Sequence, residues 1–385
     1  MNNEFKRPLS TGVIDLGAGW RVVIPKNSYV VGQHERINHS MNNEFKRPLV
    51  SLRVITNIID IGADKIELAQ IKGWRVIIPK SSYAVGQKVV YFELDSSLPI
   101  ERKEFSFLKP THGNYHVLHS RRFTINGKKW YSQGFVLPVP EEFMNRENVD
   151  SSELESYFGV FKHETEESFG SKQNPNIIGD YPIFLKSTSI DRVQNIELSE
   201  YLDKTVYATM KIDGTSLTAF NVKRPDNYDL GRNDPSGYMG LCTRALELAL
   251  HTDNLFYRVL NELNVFEKLR QIPFSVALQG EFISPNMDQN PEKSSTDRIL
   301  FFKVFNIDSQ EYLTPTDAFK LFNDLNLETV PILFKGRLRE LGADINSLLL
   351  AAEGEGLRKG SKREGLVIQL DDGTESFKVI ANSYI

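Results

Sequence analysis

Between residues 50 and 140 the chain is a series of short runs, VSLRVITNIIDI, DKIELAQI, GWRVIIP, KVVYFEL, RRFTING and KKWYSQGFVLPV, rich in Val, Ile, Phe and Tyr and broken by turn residues. Runs this short, at this spacing, predict strands joined by tight turns and curled into a small closed or nearly closed barrel. An OB-type barrel fits best, and an SH3-like barrel is the alternative.

Part of the barrel is written twice. MNNEFKRPL occurs at 1–9 and again at 41–49, and GWRVVIPKNSYVVGQ at 19–33 differs from GWRVIIPKSSYAVGQ at 73–87 at three of fifteen positions. The first copy lacks nine residues, DKIELAQIK, that separate IDIGA from GW in the second. Those nine read as one strand of a hairpin, so the first copy has lost a pairing partner. Residues 1–40 are therefore expected to be a partial duplicate rather than an independent fold; a repeat array needs roughly three units to close its core.

A length of 385 residues predicts more than one domain, and 40% hydrophobic with 25% charged residues is the balance of a globular chain with a sizeable core. No run reaches the ~18 apolar residues of a spanning helix, and MNNEFKRPLS has no apolar stretch behind its charges, so an intracellular protein without a membrane role is expected. Cys242 is alone, which excludes an internal disulfide, and there is no CxxC or HxxxH cluster for zinc. Any metal would have to be held by carboxylates and substrate phosphates. A net charge of -4 gives no bulk support to nucleic-acid binding, which then needs a local basic face. LRKGSKREG, with Arg358, Lys359, Lys362 and Arg363, is one candidate, although such a run is more often a solvated loop.

The composition shift over 146–182, acidic and rich in Ser and Asn, marks a short helix and a linker between a barrel at 41–145 and a second domain at 183–385. In that domain TRALELALHTDNLFYRVLNELNVFEKLRQI has helical spacing, whereas FSVALQGEFI, RILFFKVFNI, EGLVIQL and SFKVI read as strands, giving an α+β fold with an antiparallel-leaning sheet.

ATMKIDGTSLTAF, at 208–220, places Lys211 and Asp213 inside an apolar segment, where an unpaired buried charge costs several kcal/mol. LQGEFISP with Glu281, REGLVIQL with Glu364 and SFKVIANSYI with Lys378 repeat the anomaly. Taken singly, a strand lysine is usually a snorkelling edge residue and Gly-Glu usually a turn. Together, two lysines and several carboxylates on one sheet system are what nucleotidyl transfer to a lysine requires. A lysine amine attacks only when deprotonated, and burial beside cations or metal ions can lower its pKa toward neutrality, which makes Lys211 the candidate nucleophile. Attack on an α-phosphate also needs cations on the phosphates: Asp213 and Glu364 could hold metal, and Lys378 could neutralise the α-phosphate.

These stretches resemble, in order, the motifs of the covalent nucleotidyltransferases, the superfamily of ATP-dependent DNA ligases, RNA ligases and mRNA capping enzymes. KIDGTS resembles motif I (KxDG), GLCTRALEL with Arg244 the segment after it, LQGEFISPNMDQN motif III, FFKVFNI motif IIIa, REGLVIQL motif IV and SFKVIANSYI motif V. DNA ligases and capping enzymes carry an OB domain after motif V, whereas here seven residues follow Lys378 and the barrel comes first. That order is similar to the RNA ligases of the Deinococcus and Naegleria type, whose N-terminal module IDIGADKIELAQIKGWRVIIPK, YFELDSSLP, SQGFVLPVP and STSIDRVQN also resemble.

The resemblance implies an ATP-grasp-like nucleotidyltransferase domain of mostly antiparallel sheets behind an OB barrel. It implies an ATP-dependent RNA ligase that joins 3′-hydroxyl to 5′-phosphate ends through lysyl-AMP and RNA-adenylate, with Mg2+ or Mn2+, nicked duplex RNA as substrate and RNA repair as its setting; no protein partner is implied. Lys211 would carry AMP. Met210, Asp213, Gly214, Arg244, Glu281, Phe305 and Lys378 would bind the nucleotide, with Phe305 in the adenine pocket. Asp213, Glu281 and Glu364 would serve the metal, and Glu364 and Lys378 would act in catalysis. Two departures stand out: the KxK of many motif V sequences is broken by Ile380, with Lys362 as the nearest substitute, and the KxDGxR of DNA ligases is broken by Ser216. The alternatives are a guanylyltransferase, a DNA ligase or a catalytically silent RNA-binding scaffold.

Overall fold

The structure, a computed structural model, describes residues 11–15, 21–25, 48–146, 148–163, 176–223, 237–287 and 290–384. It divides into two compact units, 1–46 and 47–385. In the first, Thr11–Asp15 and Arg21–Pro25 form one antiparallel hairpin with Val13 opposite Val23. In the second copy the strand equivalent to Arg21–Pro25 pairs with the segment that the first copy lacks, as described next.

The barrel comprises β1 (Val50–Val54), β2 (Asn57–Ile59), β3 (Ile66–Ile71), β4 (Trp74–Pro79), β5 (Lys88–Phe92), β6 (Ser96–Pro99), β7 (Tyr115–Val117), β8 (Arg121–Ile125), β9 (Lys128–Ser132) and β10 (Phe135–Pro138). Its ladders run β2-β3-β4, β10-β5-β1, β8-β9 and β6-β7. Strand β4 alternates as its sequence demands, burying Trp74, Val76 and Ile78. The apolar run of β5 is buried on both faces, Val89 and Tyr91 in one core cluster and Val90 and Phe92 in another. The β8-β9 turn is Asn126-Gly127, both at positive φ (50° and 76°), the backbone that a two-residue hairpin needs to match strand twist.

The stretch expected to hold a short helix and a linker contains that helix and an edge strand. Helix α1 (Ser151–Phe158), capped by Asp150 on the Ser152 amide, buries Leu154 and Phe158 in the barrel core, and Ile177–Asp180 is an edge strand of the second domain. Residues 164–175 lie outside the described residues.

The second domain is built on β11 (Thr205–Lys211), β12 (Thr215–Val222), β13 (Tyr238–Cys242), β14 (Leu246–Leu248), β15 (Val276–Ile283), β16 (Arg298–Asn306), β17 (Ile332–Arg337), β18 (Gly365–Leu370) and β19 (Ser376–Ile380). Ile177–Asp180, β14, β13, β12, β15, β16 and Glu311–Tyr312 form one antiparallel sheet. Asp191–Arg192, β19, β18, β11 and β17 form a second, antiparallel except at Asp191–Arg192. Helices α2 (Leu255–Glu262), α3 (Val265–Gln271) and α4 (Pro315–Asp324) pack on the first sheet through Leu260, Phe266, Leu269 and Phe322.

The helical run expected over 243–272 is interrupted. Its start pairs as β14, Asn254 caps α2 by accepting from the Phe256 amide, and Asn264 at φ 55° separates α2 from α3. The feature that positions the site is the three-residue link from β11 to β12, which carries the chain from one sheet to the other at Ile212, Asp213 and Gly214.

Candidate active site

Lys211 ends β11 and pairs across the ladder with Gly365, so Glu364 stands beside it; Nζ lies 2.7 Å from Glu364 Oε2, and the side chains are 23% and 15% exposed. The Ala381 amide donates to the Glu364 carbonyl at 2.8 Å and pins that backbone. Glu281 faces the same point from the other sheet, opposite Ser216 on β12. Gly214 passes so close to β15 that a Cβ there would meet the Phe282 carbonyl oxygen at 2.4 Å and Glu281 Cγ at 2.8 Å. Glycine is needed here for close approach.

The electrostatics correct one expectation. Burial pulls the Lys211 amine down, but Glu364, Glu281 and Asp213 together outweigh it and hold the amine above its ordinary pKa. The lysine is an ammonium in this state. Burial pushes the Glu281 carboxyl up to about 7, with Lys211 opposing and Glu364 and Asp213 adding to it.

Asp213 is held by two partners. The Tyr384 hydroxyl donates to its carboxylate, and its own amide donates at 3.2 Å to Glu292, which is 2% exposed and also accepts from the Leu357 amide at 3.3 Å. Burial raises the Glu292 pKa. Nothing in the sequence pattern marks Glu292 or Tyr384: each is a polar residue in a loop, without the contrast of a charge inside an apolar strand.

A cavity opens between the sheets beside Lys211, lined by Met210, Arg244, Glu281, Lys378, Thr188, Ser189, Ser216, Phe302 and Lys303 among others. Arg244 Nη2 donates to Ser189 Oγ at 3.3 Å, and Thr188 and Ser216 share a hydroxyl hydrogen bond of 2.9 Å. Two expected residues are elsewhere. Phe305 is 1% exposed, packed against Tyr312 (ring centroids 5.1 Å apart), while Phe302 lines the cavity. The cause is a register shift opposite Gln279 and Gly280, a bulge that turns both Phe302 and Lys303 toward the cavity. Lys362 is exposed and donates to the Ser383 carbonyl at 3.0 Å, so the extra cavity lysine is Lys303 instead.

Among the described residues no three ligating side chains converge tightly enough to hold a cation by themselves. The carboxylates nonetheless suit a hard ion that keeps waters and takes one or two carboxylates together with substrate phosphates.

An RNA ligase family model matches residues 204–380, and an OB-fold domain model matches residues 49–139. The second domain thus matches the RNA ligase family, and the barrel before it matches an OB-fold domain. No curated protein sequence matches it. Among solved structures, a Naegleria gruberi RNA ligase mutant with ATP and Mn shows 29% identity and a TM-score of 0.71, covering 88% of this chain and 98% of that one. The same ligase with pyrophosphate gives the same values, and a mutant with AMP and Mn gives a TM-score of 0.72 at 29% identity and the same coverage. The barrel of this chain is thus an OB fold rather than the SH3-like alternative, and its second domain is a nucleotidyltransferase-like fold of mostly antiparallel sheets.

Proposed function

We propose that this protein is an RNA ligase that uses ATP and a divalent ion to adenylate itself on Lys211, passes AMP to an RNA 5′-phosphate and seals that end to a 3′-hydroxyl in nicked duplex RNA, as a repair enzyme. The observation that carries the proposal is the contact of Lys211 Nζ with Glu364 at the rim of a cavity that also holds Glu281, Arg244 and Lys378. Naegleria ligase structures solved with ATP, AMP, pyrophosphate and Mn support the choice of nucleotide and metal.

Lys211 has to lose a proton before it attacks. Glu364 Oε2, already accepting its hydrogen bond, is placed to hold that proton. The Nζ–P bond to the α-phosphorus forms as the bond to the pyrophosphate oxygen breaks. Lys378 and Arg244 supply positive charge around the bound nucleotide, which favours a transition state with charge on its phosphoryl oxygens. A divalent ion near Asp213, Glu281 and Glu364 would neutralise the triphosphate and offset the carboxylates that keep Lys211 protonated. An oxygen of the RNA 5′-phosphate then displaces Lys211 from the adenylate, and the 3′-hydroxyl displaces AMP. Tyr384 and Glu292 keep Asp213 at the rim.

The test is incubation with α-labelled ATP and magnesium or manganese, followed by denaturation. Label is expected on the wild type and absent from Lys211→Ala, and Glu364→Gln is expected to slow labelling about a hundredfold or more, as for loss of a proton acceptor. Label that persists in Lys211→Ala would overturn the assignment, and label from GTP alone would indicate a guanylyltransferase.

A further inference from the structure

Lys303 is the one lysine of the cavity that the mechanism above does not use. Its Nζ donates to Ser376 Oγ at 2.7 Å and sits 4.6 Å from the centroid of the Tyr312 ring, with Lys186 Nζ 5.2 Å from the same ring. Burial and the Lys186 ammonium pull its pKa down to about 7. A cavity wall that carries an amine under such pressure suits a ligand with a hydrogen-bond acceptor.

Position says which part of a nucleotide that is. On one sheet, Ser376 pairs with Gln369, which pairs with Tyr207, four positions along β11 from Lys211. At ~3.3 Å per residue this is roughly 13 Å from the point of attack. On the other sheet Lys303 pairs with Gln279, two positions from Glu281 and in the same direction. The Lys303 amine is therefore at the end of the cavity away from the phosphate chemistry. Between the two ends the walls are apolar, with Met210, Val330, Phe302 and Val367, which suits a flat heteroaromatic ring.

A nucleotide whose α-phosphate lies at Lys211 presents at this inner end the purine edge farthest from its ribose. In adenine that edge has an unprotonated N1, a hydrogen-bond acceptor, whereas guanine carries N1–H. We propose that Lys303 reads the nucleobase, donating a hydrogen bond from Nζ to N1 of adenine and thereby selecting adenine over guanine. Ser376 and Tyr312 hold the amine in place. The inference rests on the adenylation reading for the orientation of the nucleotide.

The test compares ATP, 1-deaza-ATP, which has C–H in place of N1, and 7-deaza-ATP, by equilibrium dialysis and by self-labelling, in the wild type and in Lys303→Met. The wild type is expected to bind 1-deaza-ATP about tenfold or more weaker than ATP, as for loss of a hydrogen bond to a charged group, and to bind 7-deaza-ATP like ATP. Lys303→Met is expected to bind all three alike. Equal binding of ATP and 1-deaza-ATP by the wild type overturns the inference without need of a variant, as does an undiminished preference in Lys303→Met. Selective binding without labelling would uphold Lys303 and sink the adenylation reading. Labelling without discrimination at N1 would do the reverse, and no binding of ATP at all would overturn both.

Discussion

Gly214 and Lys303 are the residues at which single-atom geometry decides most. An added Cβ at Gly214 would lie 2.4 Å from a backbone oxygen, which has no flexible side chain to yield. Gly214→Ala is therefore expected to push the β11–β12 link away from β15, to cost about 1–3 kcal/mol in urea unfolding, and to abolish self-adenylation. Full labelling by a stable Gly214→Ala protein would refute this account of the position. Lys303 makes a pH prediction. Its folded pKa of about 7 lies below its ordinary value near 10.5, so between those limits the unfolded chain binds one more proton than the folded one. Stability from this group rises with pH through that window, and the burial penalty is fully present below it. Lys303→Met removes the penalty. Its stability relative to wild type should be greatest below pH ~7 and shrink toward pH ~10, as read from urea midpoints; a gap independent of pH would contradict the assignment.

At the level of elements, what could be read in advance follows physical contrast. Lys211, Glu281, Glu364 and Lys378 were legible because a charge inside an apolar strand calls for a partner; Lys211, Glu281 and Lys378 line one cavity, and Glu364 contacts Lys211. The strands of the barrel were legible from alternation and from turns such as Asn126-Gly127. The bulge on β16 was not, because one extra residue inverts the alternation, and so Phe302 and Lys303 took the place expected for Phe305. The break at Asn264 was equally hidden, since its flanks keep helical spacing. The β8-β9 hairpin carries a prediction of its own. Phe123 and Trp130 pair on its packed side, whereas Lys129 is exposed on the other, with Arg75 5.0 Å from the centroid of the Tyr131 ring. A basic face around an aromatic ring suits single-strand or nicked RNA. Arg75→Ala with Lys129→Ala is expected to weaken RNA binding and to flatten its log–log salt slope by about 0.7–0.9 per lost phosphate contact, with self-labelling unchanged. An unaltered salt slope would remove this face from the RNA path.

For the whole molecule the open question is the partial duplicate. Deletion of nine residues joins the equivalents of β2 and β4 into a two-stranded hairpin, whereas the complete copy interposes β3 between them and packs Trp74, Val76 and Ile78 into a core with Val89 and Tyr91. An isolated two-stranded hairpin is marginally stable in water, because it has one ladder and no second layer to cover its apolar face. The first copy falls in the unit 1–46 and the complete barrel in the unit 47–385. All the residues around the Lys211 cavity, and every strand of the complete barrel, lie in the second unit. Removal of residues 1–40 should accordingly leave the urea midpoint, self-labelling and the sealing of nicked RNA unchanged within error. A shortened chain that still labels but no longer seals would show that the duplicate acts on RNA rather than on the nucleotide; loss of labelling as well would make it part of the catalytic fold.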